Sequence, residues 1–585
     1  MLLNSKKRLL AAMVGGLLMV QATQAALVVD ESFRGGWYNP QQSGRGSMLD
    51  WLPTSKDGGV LFVATFTYDT TGKQYWFTTL VPLTDREFKK TNVDALSATG
   101  GTFGNDYTPT VAAPIGKVDF EAHSCNRITL SFTPNQGSNL VPVTLDLSRP
   151  DGVPSTCQYT HEFTTCPTGT TAVAGLARTC QLPSTITGTL RLTNDATYLI
   201  AGKTQVGSGR NTNPGTLIIE PGTQLQGKGG AIDYLVVNAG SKMFAEGTKE
   251  NPIVFTGPTN VPGSWAGLVL AGNAADNTCR LSTACTFEAD ADVTYGGVSQ
   301  VGGGNLVSDD ADSSGVLKYV QIRYAGQEIR PNEELNALTM LGVGSGTTIE
   351  NISVYAGKDD AFEWFGGAVN ARNLVAIATE DDCLDTANGY RGRVQFAYCK
   401  QTATAASGSH GIESDNNGSS FDLLPRTQPK MANLTFIQSS TGDEAIRIRR
   451  GAAGNYFNVV AKDAPTECLN FNDNATFNAS GSAANPIASG FLTMTGAAMG
   501  CNTNFELSGS DPFQVDAWFN IQAANLATNP AGLNMTGRYP NTGSPLLNTG
   551  VAVPNDAFFQ RTSFKGAFDS SAATDWTQGW SYGVE

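Results

Sequence analysis

The sequence predicts an all-β chain: a right-handed parallel β-helix preceded by a small antiparallel β domain. Three observations carry this. Six short segments repeat one pattern of a polar, a small and a large apolar residue: Asn336-Ala337-Leu338, Asp360-Ala361-Phe362, Asp382-Cys383-Leu384, His410-Gly411-Ile412, Glu444-Ala445-Ile446 and Glu467-Cys468-Leu469. Their small residues are 24, 22, 28, 34 and 23 positions apart, a period in the low twenties stretched by insertions, as stacked coils require. The chain also holds 65 glycines and only 15% charged residues, which is not a helical composition. Segments rich in Val, Ile, Thr and aromatics recur between Gly, Asn and Asp turns, strand after strand.

The first element, residues 1–25, reads as a secretory signal peptide. Lys6, Lys7 and Arg8 precede an apolar run from Leu9 to Val20, too short to span a bilayer, and small residues lead to a cleavage point after Ala25. The expected location is therefore secreted: extracellular, at the outer cell surface, or periplasmic. No later apolar run is long enough for a membrane helix. Loss of the peptide's three positive charges takes the net charge from −14 to −17. That balance argues against nucleic acid as a partner, because phosphates would be repelled. Ten cysteines in an exported chain favour disulfides. Close spacing suggests Cys279–Cys285 and Cys383–Cys399. Cys125, Cys157, Cys166 and Cys180 could form two bridges among themselves.

Residues 26–183 read as a small aromatic-rich β domain. Leu61 to Tyr68 and Gln74 to Phe77 flank a hairpin turn at Thr70-Thr71-Gly72-Lys73. Its Trp37, Tyr38, Trp51, Tyr75 and Trp76 suit a core, or a stacking platform for sugar rings.

Residues 184–510 read as the β-helix. Leu217 to Leu225 is echoed 18 residues later by Leu235 to Met243. The pattern lapses near 271–314, where Cys279, Cys285, Asp290, Asp292, Asp309, Asp310 and Asp312 mark a long loop leaving the helix and covering part of it. Asn351, Asn373 and Asn433, each before an apolar residue, suggest an asparagine ladder at a coil corner. Residues 511–585 read as a C-terminal cap over the open end of the stack, with one short helix expected around Asp516 to Ala527.

Stacking the six repeats places their polar residues in one outward row. Coils lie about 4.8 Å apart, so Asp360 and Asp382 fall within a few ångströms of each other, with Asp359 and Asp381 one step back at the bend. Carboxylates that close hold one another's protons, as an acid and a base flanking a glycosidic bond require. Oxygen-only ligands such as Asp359 and Asp385 also suit Ca²⁺; no cofactor is required, and calcium is the one expected candidate. Arg447 and Arg449, with Glu413 and Trp364, complete the expected substrate contacts.

These segments resemble the pectin-lyase-like β-helix superfamily. Within it, Lys358-Asp359-Asp360, Asp381-Asp382-Cys383, Ser409-His410-Gly411 and Arg447-Ile448-Arg449 follow the order of four stations of the polygalacturonase family, Asn-Thr-Asp, Asp-Asp-Cys, Gly-His-Gly and Arg-Ile-Lys. The first station lacks Asn and Thr, and the fourth ends in Arg. The resemblance implies Asp381 as general acid, Asp360 and Asp382 activating water with inversion, His410 supporting the acid, and the two arginines holding a substrate carboxylate. Phe365-Gly366-Gly367, Asn388-Gly389-Tyr390-Arg391-Gly392 and Gly566-Ala567-Phe568 resemble large secreted bacterial β-helix proteins of unassigned activity. Three readings follow: a surface protein that binds extracellular glycan in a structural or adhesive role, an inverting hydrolase of an acidic polysaccharide, or a Ca²⁺-dependent polysaccharide lyase.

Overall fold

A computed structural model describes residues 29–584, apart from 40–43, 56–57, 84–87, 99–111, 137–138, 151–162, 164, 280–283, 297–307 and 331–332. The expected signal peptide and Cys157 lie outside the described residues.

Eight antiparallel strands between Gly35 and Ser148 close into a barrel. Strand alternation decides its inside: Trp37 and Trp51 are buried, whereas Tyr38 and Trp76 stand on the outer face. The turn between its third and fourth strands is tied by the Asp69 carboxylate, which accepts from the backbone N–H of Thr71 and Lys73, and Gly72 supplies the left-handed residue. The barrel seats on the first coils through Arg127, which pairs with Asp146 and Glu246 and lies over the Phe244 ring, and through Arg191, which pairs with Glu220 and donates to the Ala122 carbonyl.

The rest is a parallel β-helix. One of its faces is a ten-stranded parallel sheet that takes one short strand per coil, among them Leu338–Leu341, Phe362–Phe365, Leu384–Ala387, Ile412–Asp415, Ile446–Arg449 and Leu469–Phe471. The apolar third residue of every repeat enters one inward column in direct register: Leu338, Phe362, Leu384, Ile412, Ile446, Leu469. Two residues on, a second inward column runs Met340, Trp364, Thr386, Ser414, Ile448, Phe471. Its two hydroxyls satisfy each other across adjacent coils at 2.8 Å, as buried polar groups must. The small second residues are buried too. A side chain on Gly411 would meet the Phe436 ring at 2.6 Å, and Cys383 and Cys468 use the space for bridges to Cys399 and Cys501.

The remaining faces form one long sheet that bends within each later strand. The bend is a column of left-handed residues in register, Tyr319, Asn351, Asn373, Phe396, Asn433 and Asn458. Asparagine tolerates this conformation best among residues with a side chain. The expected corner ladder is thus a mid-strand bend.

Residues 271–314 leave the stack and return. The strands Cys285–Thr286 and Thr294–Tyr295 form a hairpin closed by Cys279–Cys285 and pinned by Asp290 to Tyr234 and Lys203. Cys166–Cys180 is also bridged, and Cys125 is disulfide-bonded.

The structure corrects three expectations. Trp364 does not face a ligand: it is fully buried, stacked on Tyr390 at 5.2 Å. Side chains alternate, so it shares the inward side with Phe362, two residues earlier. Beyond the helix Val515–Asn520, a second helix, Asn474–Ser480, interrupts the last coils. The C-terminal segment also divides: Val515, Trp518 and Phe519 join the core at the end of the stack, but the tail then runs back along the bent sheet. There Gly566 bonds Asn458, Gln560 bonds Gln395, and Trp580 and Tyr582 reach Gln321 and Ser353. No described helix is long and apolar enough to cross a membrane.

Trp364→Ala should destabilise the chain by about 3–5 kcal/mol through loss of buried area and cavity formation, read as a lowered urea midpoint. Trp364→Phe should keep most of the stability and leave any saccharide affinity unchanged.

Candidate functional site

The outward residues of the short-stranded sheet also run in register. One column reads Val269, Thr339, Glu363, Asp385, Glu413, Arg447, Asn470, and its neighbour Ala271, Leu341, Phe365, Ala387, Asp415, Arg449. Each column is apolar or neutral over its first coils and charged later. The bends before the strands add Asp359, Asp360, Asp381, Asp382 and His410. A cavity of about 550 Å³ opens over this surface, lined by Asp359, Asp360, Glu363, Asp381, Asp382, Asp385, His410, Glu413, Arg447 and Arg449, with Asn336 and Phe287 to Ala289 at one end. Every residue expected at the site except Trp364 meets there.

Asp360 and Asp382 first serve the backbone. The Asp360 carboxylate accepts the N–H of Asp382 at 2.9 Å, and the Asp382 carboxylate accepts the N–H of His410 at 2.5 Å. Each acid at the bend thereby ties its coil to the next. Asp382 also accepts from His410 Nδ1 at 2.9 Å, while His410 Nε2 meets the Glu444 carboxylate at 2.9 Å. Asn470 holds the other Glu444 oxygen at 2.6 Å. With a carboxylate on each ring nitrogen, His410 is an imidazolium. Burial opposes its charge, but Asp382 and Glu444 outweigh that and raise its pKa to about 10. Burial likewise works against the Glu444 charge, and the His410 hydrogen bond overcomes it, lowering the carboxyl to about 2. The expected partner of His410 was Asp381; the structure gives it Asp382 instead.

Asp381 is set differently. Burial, then the charges of Asp382 and Asp359, raise its pKa to about 8, so it carries a proton at neutral pH. Burial also raises Asp360, Glu363 and Asp385, each pushed further by acidic neighbours. Glu413 is raised to about 7 by burial and Asp382, against the pull of Arg449. Asp385 Oδ1 is closed to solvent and has no hydrogen-bond partner.

The cations are engaged by the protein. Arg449 bonds Glu413 at 2.5 Å and Asp415 at 2.8 Å, and Arg450 bonds Asp415 at 2.6 Å. Arg447 donates to Asn472 at 2.9 Å and stands 3.9 Å from Glu413. The expected grip of both arginines on a substrate carboxylate would require loosening these pairs.

Two sets of carboxylates converge closely enough to share a cation: Asp359, Asp360 and Asp381, and Asp360, Glu363 and Asp385, with ligand oxygens within 4.8 Å of one another in each set. Their donors are all oxygen, which fits Ca²⁺, and the orphan Asp385 oxygen offers a ligand position.

Glu444 and Asn470 stood in the repeat row, but the sequence did not show that Glu444 would hold His410 and Asn470 would hold Glu444 across neighbouring coils. Glu288 carries no repeat signal at all, because it arrives on the inserted hairpin. A family model described as a pectate-lyase-like β-helix domain matches residues 184–581. No curated protein and no solved structure matches the chain.

Glu444→Gln replaces one of the two carboxylates on His410 with a neutral amide and so removes one of the charges that stabilise the imidazolium. Its ring pKa should drop by at least about one unit, since a unit corresponds to 1.36 kcal/mol of lost charge stabilisation. The chain has three histidines, so the ring signal can be followed by NMR titration. An unchanged titration would contradict the clamp.

Proposed function

The chain belongs to the pectate-lyase-like β-helix family, and from that premise we propose that it is an exported enzyme that hydrolyses a polysaccharide held over the acid row. One observation carries this reading: Asp381 and Asp382 line the same cavity, the first half-buried, with burial and acidic neighbours raising its pKa to about 8, the second held at 2.9 Å by His410. Glycosidic cleavage with inversion needs one carboxyl that gives a proton to the leaving oxygen and a second that takes one from the attacking water.

In the proposed reaction Asp381 gives its proton to the glycosidic oxygen as the bond from the anomeric carbon breaks. Water adds to that carbon from the opposite side, and its proton passes to Asp382, so the configuration inverts. Asp360 holds the backbone of Asp382, and His410, clamped by Glu444, holds the Asp382 carboxylate and balances its charge. These are positioning roles. β-Elimination is less well supported. It needs a base near the sugar ring, and His410 has no free ring nitrogen, while Arg447 and Arg449 are bound to protein partners.

The cavity's surplus of acids also bears on the ligand. A uronic-acid polymer would meet more carboxylates than available cations, so a neutral chain fits the lining better unless a divalent cation intervenes. The orphan Asp385 oxygen favours a second reading in which Asp359, Asp360, Glu363, Asp381 and Asp385 hold Ca²⁺, which would neutralise the floor and admit acidic sugars. Export is supported by the bridged cysteines, since disulfides persist in oxidising compartments.

The direct test is incubation of the mature protein with neutral and acidic polysaccharides, with and without calcium, following reducing ends and unsaturated products. Asp381→Asn should lower hydrolysis by about 10²–10⁴-fold, the usual worth of a general acid. In the unaltered protein, activity should fall as pH rises through about 8, where Asp381 loses its proton. Unsaturated products would replace hydrolysis with elimination. Binding without cleavage would leave a glycan-binding surface protein.

Calcium occupancy has its own signature. Asp381 and Glu413 hold protons up to about 8 and about 7 in the folded state, above ordinary carboxyls near 4. The folded chain thus binds protons that the unfolded chain has released. The contribution of these two groups to stability is fully present below the ordinary carboxyl range and is lost as pH rises through about 8. Millimolar calcium should flatten that fall and raise Tm at pH 8 by about 2–5 °C over the chelated protein. Identical melting curves would exclude a calcium role.

A further inference from the structure

We infer that the groove is closed at one end by the 285–295 hairpin, so that the protein engages the terminus of a saccharide chain rather than its interior. This rests on the proposed polysaccharide function but is decided by the shape of the site, not by its acids.

The argument follows the outward columns from coil to coil. On the third to fifth strands of the short-stranded sheet the outward residues Tyr234, Val236, Val269 and Leu341 are buried. What buries them is the hairpin: Phe287, Ala289, Val293 and Tyr295 pack into one cluster with them and with Phe365. The last contact is an edge-to-face pair, Phe287 on Phe365, with ring centres 6.0 Å apart. One position along the hairpin, Glu288 already lines the cavity. The apolar seam therefore ends and the polar cavity begins at the same coil, Phe362–Phe365.

This wall is fixed in place. Cys279–Cys285 closes its base, Tyr295 donates to the buried Asp276 at 3.1 Å, and Asp290 accepts from Tyr234 at 2.5 Å and pairs with Lys203 at 2.6 Å. Phe287 N–H bonds the Val293 carbonyl within the hairpin at 3.0 Å. Away from the wall the hollow continues. A second cavity of about 420 Å³ lies alongside the first, sharing Glu288, Glu363, Phe365, Asp385, Glu413 and Arg449 with it; it meets the same wall at Glu288 and Phe365 and extends away from it to Asn417, Gly418, Ser419 and Arg450. The groove is blind toward the hairpin and continues past Arg449.

Asp381 and Asp382 stand at the coil immediately after the one that meets the wall. Coils are spaced by about 4.8 Å. The room between the wall and these acids is thus about 5–10 Å, enough for one or two sugar units and no more. A chain lying in the groove must end there, and each cleavage must release a product of that length.

Two measurements test this, one without catalysis. Asp381→Asn protein is titrated by calorimetry with size-fractionated chains of one polymer, taking polygalacturonate, xylan and chitosan in turn. End binding gives one protein per chain whatever the chain length. A stoichiometry that rises in proportion to length overturns the inference, as does absence of binding to all three. For any polymer that the unaltered protein cleaves, the first products should be single or paired sugar units, and viscosity should stay near its starting value while reducing ends accumulate. A ladder of intermediate fragments with an early collapse of viscosity also overturns it. Failure of cleavage with length-independent binding removes the hydrolytic reading and keeps the blind end. Opening the wall with Phe287→Gly plus Glu288→Gly should convert end binding to length-dependent binding. Circular dichroism and the melting curve establish that this variant is folded.

Discussion

Register between coils is the constraint on which everything else depends. Each coil pairs its backbone with the next, so a residue's place in one strand fixes which residue it meets in every other. The same rule that lines up Leu338, Phe362, Leu384, Ile412, Ile446 and Leu469 on the inside lines up Glu363, Asp385, Glu413 and Arg447 on the outside. The core and the cavity are two faces of one alternation. Burial of the apolar column is favourable enough to hold carboxyls together that would otherwise repel, and the cost of that crowding appears as protons retained on Asp360, Asp381 and Asp385.

Charge in the groove is organised by coil. The earlier coils supply acids, the later ones arginines, and His410 lies at the junction with a carboxylate on either side. An imidazolium so held is an electrostatic fixture with no proton to exchange near neutrality. It orders Asp382 and separates it chemically from Asp381, one residue away in sequence. Two adjacent aspartates thereby acquire opposite properties, because one faces the clamp and the other faces its acidic neighbours. Environment, more than residue type, assigns roles in such a site.

Much of this was legible in the sequence because the repeat is written in residue size as well as polarity. A small residue between a polar and a large apolar one marks where a strand enters the core, and it located the inward column and the acid row alike. Trp364 was legible too: two positions after Phe362, it had to point the same way, and reading it as a ligand contact let aromatic character override alternation. Glu288 was not legible, since an insertion has no register until it folds. Pairing of the acid row with the arginines was open to the sequence as one alternative, since alternation turns both outward; the particular partners of Arg449, Glu413 and Asp415, were not, because register does not say which neighbour a guanidinium turns to. The tail was expected to cover the end of the stack. Its path along the bent sheet depends on contacts such as Ala567 with Thr435 and Trp580 with Tyr319, which no periodicity announces.

That returning tail has a bearing on how the molecule is made. Coils can accrue one upon another as the polypeptide emerges, each templating the next. The flank formed by Val375, Ile377 and Tyr398, however, stays wet until Ala567, Phe568 and Trp580 arrive. Those residues follow every coil of the solenoid in the chain, so they are made after all of them. Covering of the solenoid's flank is therefore tied to synthesis through Trp580, and a copy truncated before that residue carries a sticky side that a quality-control protease could recognise.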